Sequence, residues 1–135
     1  MNLCILTNSS ALFPPTPANS GKNIRTLSPN INQQGVLPSE VHHYMEAFSQ
    51  LENEFNAILV LTASEDLLSD FVTANLAAQM HGGLSKIEVL DTRQIGPGLG
   101  MLANLAAKRA SAGANLQEVS EYVRSVIPNI FTVIY

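Results

Sequence analysis

Ile87-Glu88-Val89-Leu90-Asp91-Thr92-Arg93-Gln94-Ile95-Gly96-Pro97-Gly98-Leu99-Gly100 reads as a strand, a polar strand end and a glycine-rich turn that opens a helix. Asp91 and Thr92 stand where the strand, residues 86–90, hands the chain to a loop. Gly96, Gly98 and Gly100 fall on alternate positions, and Leu99, Leu102, Ala103, Ala106 and Ala107 repeat at the spacing of one helix face. A residue without Cβ lets the backbone come close to a ligand or another element, and a helix start offers N–H groups that no intrahelical carbonyl takes. The plainer alternative is a tight strand-to-helix turn whose glycines serve packing alone.

The same strand-then-polar-end pattern recurs upstream. Residues 2–7 form a short apolar run ending at Asn8-Ser9-Ser10, and residues 57–61 form another, ending at Thr62-Ala63-Ser64. A run without alternation suits a strand covered on both faces in a parallel sheet. Residues 23–27 are a weaker strand candidate, between a loop at 14–21 with Pro14, Pro15 and Pro17 and a second loop at 29–35. Residues 130–135 read as a last strand.

Four helices fill the intervals. The first starts near Pro38, where proline is tolerated, with Glu40 at the positive dipole end and Val41, Tyr44, Met45, Phe48 and Leu51 facing inward. The second covers residues 67–80, with Leu67, Leu68, Phe71, Val72 and Leu76 inward and a glycine of His81-Gly82-Gly83 as left-handed cap. The third covers 99–111 and stops at Gly113. The fourth opens on Asn115 with Glu118 three residues on, repeats Leu116, Val119, Val123, Val126 and Ile127 at helical spacing, and closes at Pro128.

Strands alternating with helices predict an α/β fold: a three-layer sandwich with a mainly parallel sheet and helices on both faces, one domain over residues 1–135. Ligands of such sheets bind outside the carboxyl ends of the strands. Asn8, Ser9, Thr62, Ser64, Asp91 and Thr92, with Gly98 permitting close approach, are the expected site. Hydroxyl and N–H donors of this kind suit an anionic head group, a carboxylate or a phosphate. The competing explanation is that these residues merely cap strands and helices.

Bulk properties narrow the function. The 135 residues carry a net charge of −4 and seven scattered Lys and Arg, which argues against a nucleic-acid surface. Charged residues make up 13%, below the usual ~25%. No apolar run has the length of a membrane span or of a signal peptide, so a cytoplasmic protein is expected. The single Cys4 has no partner for a disulfide or a zinc site and reads as a buried thiol. His42 and His43 are adjacent and diverge on a helix, unlike an i, i+4 metal pair; they and His81 read as surface or capping residues, and no catalytic triad forms. Glu52 and Glu54 read as a solvated helix end. No cofactor and no metal are expected.

With Thr7-Asn8-Ser9, Ser64 and Asp91-Thr92-Arg93 leading to Gly98-Leu99-Gly100 assembled, the chain resembles the DegV family, of EDD-type fold. The family's first strand ends T-D-S, similar to Thr7-Asn8-Ser9. Its T-S-Q-P-S segment survives here only as Pro38-Ser39. Its S-S-x-L-S-G-T-Y segment is matched at Ser64, Leu67 and the aromatic Phe71. Its D-S-R…G-L-G turn is matched by Asp91-Thr92-Arg93 and Gly98-Leu99-Gly100. The resemblance covers nearly the whole chain and the first of the family's two domains.

It implies a fatty-acid-binding carrier that presents an acyl chain, held between two domains, to a fatty-acid kinase. Two of the family's head-group hydroxyl positions are Gly35 and Glu65 here, and an acid there repels a carboxylate unless protonated or turned away. The expectation is thus a non-catalytic lipid-binding module for a fatty acid or another anionic-headed small ligand. A homo-oligomer, or a second-domain partner, would cover its open face. The alternatives are a phosphocarrier or phosphotransferase subunit of the mannose-transporter fold and a structural interaction subunit. The phosphocarrier would need a histidine at a strand end, where Ser9 and Ser10 stand.

Overall fold

The computed structural model describes residues 2–8, 23–27, 40–64, 70–83 and 85–129. Ser9, Ser10, the loops at 14–21 and 29–35, Glu65 and the expected strand at 130–135 lie outside the described residues.

Among the described residues four strands, β1 (Leu3–Asn8), β2 (Ile24–Leu27), β3 (Ala57–Thr62) and β4 (Lys86–Asp91), form one sheet in the order β2-β1-β3-β4. All three pairings are parallel, with Leu6 opposite Val60 and Thr62 opposite Asp91. Four helices accompany them: α1 (Glu40–Leu51), α2 (Asp70–Met80), α3 (Pro97–Ser111) and α4 (Leu116–Val126).

Alternation along the central strands builds two cores. Leu3 and Ile5 of β1 and Ala57, Leu59 and Leu61 of β3 pack with Leu99, Leu102, Ala103 and Ala106 of α3 and Val119 and Val123 of α4. Cys4 and Leu6, with Ile58 and Val60, pack on the opposite face with Tyr44, Phe48 and Leu51 of α1 and Ala74 and Ala77 of α2. Every residue of β3 is buried, as its unbroken apolar sequence requires of a strand covered on both sides. The architecture is the expected three-layer α/β sandwich.

Local chemistry accounts for the helix ends. Asn115 accepts the Glu118 N–H at 2.8 Å while Glu118 Oε1 accepts the Asn115 N–H at 3.0 Å, a complete capping box. Gly113, at φ 102°, ends the turn after α3. After α4 a short 3-10 turn, Ile127–Asn129, contains Pro128.

Three details differ from expectation. Val72 and Leu76 are 54% and 45% exposed, and with Met80 they line the outer side of α2; Ala74 and Ala77 face inward instead. Residues 71–80 hold no charged side chain, so apolar periodicity had no polar face to set against and could not fix the helix rotation. Gly82 and Gly83 do not adopt the left-handed conformation. Instead His81, with a side chain only 7% exposed, turns inward to Glu52, 3.0 Å away, and meets the Phe48 ring edge-on. Glu52 is therefore an interior partner for His81, neither residue being a simple surface or solvated group.

Candidate functional site

The chain runs from β1 to β2 on one side and returns to place β3 on the other side of β1. The sheet order thus reverses between β1 and β3, and the crevice beyond their carboxyl ends is where such sheets receive ligands. Parallel register brings the Asn8 end of β1, Thr62 of β3 and Asp91 of β4 to this one edge. Ala63 and Ser64 continue from β3, and the Thr92–Gly96 turn leads from β4 into α3 along the same edge.

Much of the polar chemistry here holds the edge itself. Thr62 Oγ1 donates to the Leu90 carbonyl at 3.2 Å. Thr92 Oγ1 donates to the Thr62 carbonyl at 2.7 Å and accepts the Gln94 N–H at 3.2 Å. The Ser64 N–H donates to the Gln94 carbonyl at 3.0 Å. Asp91 Oδ1 accepts the Arg93 N–H at 2.9 Å, closing a small turn in which Arg93 sits at φ 59°. Thr62 and Thr92 therefore spend their hydroxyls on backbone carbonyls and lash β3, β4 and the following turn into a rigid rim. Ser64, 7% exposed, stands at the end of β3 on that rim.

The glycine-rich turn resolves into distinct roles. Gly96 carries φ 60° and ψ −128°, a conformation that only glycine adopts readily. It caps α3 without a side-chain hydrogen bond, Pro97 follows as the first helical residue, and no acid occupies the first turn. The helical ladder opens with Gly100 N–H donating to the Gly96 carbonyl at 3.0 Å. Gly98 and Leu99 thus present N–H groups ahead of that ladder, and Gly98 is buried within the first turn.

One residue absent from the expected site stands out. Thr7, 1% exposed at the carboxyl end of β1, has a hydroxyl with no hydrogen-bond partner among the described residues. An unmet buried hydroxyl costs on the order of 1–3 kcal/mol. Sequence offered a partial signal: Thr7 is a polar residue closing an otherwise apolar run, but it looked like a strand residue rather than a strand end.

Other polar clusters lie elsewhere. A shallow groove lined by Lys86, Glu88, Ser120 and Arg124 follows the outer side of β4 toward its amino end, and Arg124 there pairs with Glu88 at 3.3 Å. Burial pushes the Cys4 thiol up to about 12 from 9.0, against a smaller opposing pull from Arg25, so it stays protonated and unreactive. No cluster of three or more His, Cys, Asp or Glu that could hold a metal occurs among the described residues. No helix among them is long and apolar enough to cross a membrane.

Residues 23–135 match the family described as "Uncharacterised protein, DegV family". The chain belongs to the DegV family. Among curated relatives of this DegV chain is a DegV domain-containing protein of Caldanaerobacter subterraneus subsp. tengcongensis, 28% identical over 102 residues, which cover 73% of this chain and 36% of that one. A fatty acid binding DegV family protein from Streptococcus agalactiae superposes with a TM-score of 0.77 at 17% identity, covering 95% of this chain and 54% of its own. A DegV family protein from Corynebacterium glutamicum gives 0.72 at 26% identity, covering 94% and 49%. The chain thus spans about half the length of these solved DegV structures, and little more than a third of the curated relative. These matches do not favour the phosphocarrier alternative.

Proposed function

We propose that this chain is a non-catalytic fatty-acid-binding module, with the anionic head group received at the carboxyl ends of β1 and β3. The observation that supports it most is the fold shared, over 95% of this chain, with a protein whose structure is described as fatty acid binding. A DegV structure from Thermus thermophilus described in the same terms covers as much of it. The rim fits the reading physically. Thr62 and Thr92 brace the edge, while Ser64 and the opening of α3 supply donors suited to a carboxylate. An acyl chain leaving this edge needs apolar cover, which a second domain or a second copy of the chain would supply.

Native mass spectrometry of the purified protein, before and after incubation with oleate, tests this reading. A bound mass equal to that of a long-chain fatty acid is expected, one per site. A bare protein mass under both conditions would contradict it.

A further inference from the structure

We propose that one carboxylate oxygen of the fatty acid is held between the Thr7 hydroxyl and the N–H groups that open α3, those of Gly98 and Leu99. This deepens the fatty-acid reading above and rests on it. Three observations place these groups together.

The first is the face of Thr7. Leu3 and Ile5 pack against α3, whereas Cys4 and Leu6 face α1 and α2. Alternation along β1 therefore turns Thr7 toward α3.

The second is the level of α3 along β1. Asn23 Nδ2 donates to the Ala107 carbonyl at 3.2 Å, and the Ile5 N–H donates to the Asn23 carbonyl at 2.8 Å. Ala107 thus lies level with Cys4 and Ile5. From Ala107 back to Leu99 the helix covers about 12 Å at 1.5 Å per residue. That length is between three and four strand residues at about 3.3 Å each, which brings the first turn of α3 over the Thr7 end of β1.

The third is what both partners lack. Thr7 Oγ1 is buried and has no partner among the described residues. The start of α3 has no side-chain cap and no acid in its first turn. A helix start favours negative charge, and a hydroxyl beside it adds a donor to the same oxygen. Asp91, an acid on the described part of the rim, belongs to β4, separated from β1 by β3, and its Oδ1 already accepts the Arg93 N–H. Thr92, one of the hydroxyls expected at the site, is committed to the Thr62 carbonyl and the Gln94 N–H. Thr7 is therefore the better head-group donor.

Equilibrium dialysis with radiolabelled oleate on the wild type, Thr7→Val and Thr7→Ser, together with their thermal midpoints, tests the proposal. Thr7→Val keeps the shape and removes only the unpartnered hydroxyl, so its ligand-free midpoint should equal or exceed that of the wild type. Its oleate affinity should fall at least about tenfold, and Thr7→Ser should restore most of it. Equal affinity of Thr7→Val and wild type would overturn the proposal while leaving fatty-acid binding in place. A wild type that binds no oleate would instead overturn the functional reading itself. A lowered ligand-free midpoint in Thr7→Val would assign the hydroxyl a structural role and also count against the proposal.

Discussion

Thr92 Oγ1 donates a 2.7 Å hydrogen bond to the main-chain carbonyl of Thr62, 30 positions earlier in the chain. The same hydroxyl accepts the Gln94 N–H, and the Thr92 N–H also donates to the Thr62 carbonyl at 3.2 Å. One side chain thus fixes where β3 ends, where β4 ends and how the turn toward α3 departs. Thr92→Val removes the bond and leaves the buried Gln94 N–H without this acceptor. The expected cost is about 1–3 kcal/mol in urea unfolding. Thr62→Val removes a single bond, to the Leu90 carbonyl, and should cost less; equal costs would show that Thr92 is no special brace.

Gly96 should be the least replaceable glycine of the turn. Its φ of 60° with ψ −128° lies outside the regions open to L-residues. Gly96→Ala should lower stability by about 1–3 kcal/mol, read as a fall in thermal midpoint. An unchanged midpoint would mean that the turn relaxes without loss.

The fold was legible because its strongest signals are local and repeated. The unbroken apolar run of β3 announced a doubly covered strand, and the Asn115–Glu118 pair announced the start of α4. The edge was legible too, since parallel strands must end on the same side. What sequence could not resolve was how each hydroxyl is spent. Thr7, Thr62 and Thr92 look alike in sequence, yet two are tied to carbonyls and one is left unmet, a difference set by register and by the approach of α3. The rotation of α2 was hidden because residues 71–80 are apolar or uncharged all round, so Val72 and Leu76 looked as fit for the core as Ala74 and Ala77. His81 looked like a cap because its partner, Glu52, lies 29 positions away on another element.

The Glu52–His81 pair joins the ends of α1 and α2 at the amino ends of β3 and β4, across the sheet from the rim. His81→Ala loses this bond and the edge contact with Phe48, whose ring centroid is 5.7 Å away. A loss of about 1–3 kcal/mol is expected in denaturant unfolding, with oleate affinity unchanged. A matching drop in affinity at full folding would tie this latch to the binding edge.

Cys4 gives a signed pH dependence. Its thiol is pushed up to about 12 in the fold, from 9.0, chiefly by burial. Between these values the unfolded chain releases the proton while the folded chain keeps it. Its contribution is therefore complete below pH 9 and lost as pH rises toward 12, at a limiting slope of about 1.4 kcal/mol per pH unit. Comparing wild type with Cys4→Val across this window isolates the thiol from other titrating groups. The wild type should lose stability more steeply, and parallel curves would contradict the burial of the thiol. At pH 8 the folded protein should also resist thiol reagents that label the unfolded chain at once.

The central claim is that the carboxyl ends of β1 and β3, with the opening of α3, form the head-group site. Titration of the isotope-labelled protein with oleate, followed by amide NMR shifts, tests it most directly. The account predicts saturable shifts concentrated at Thr7, Asn8, Ser64, Gly98 and Leu99, with the Asn56, Ser85 and Lys86 amides at the opposite end of the sheet unmoved. Shifts centred on that opposite end, or on the groove beside Glu88 and Arg124, would contradict it.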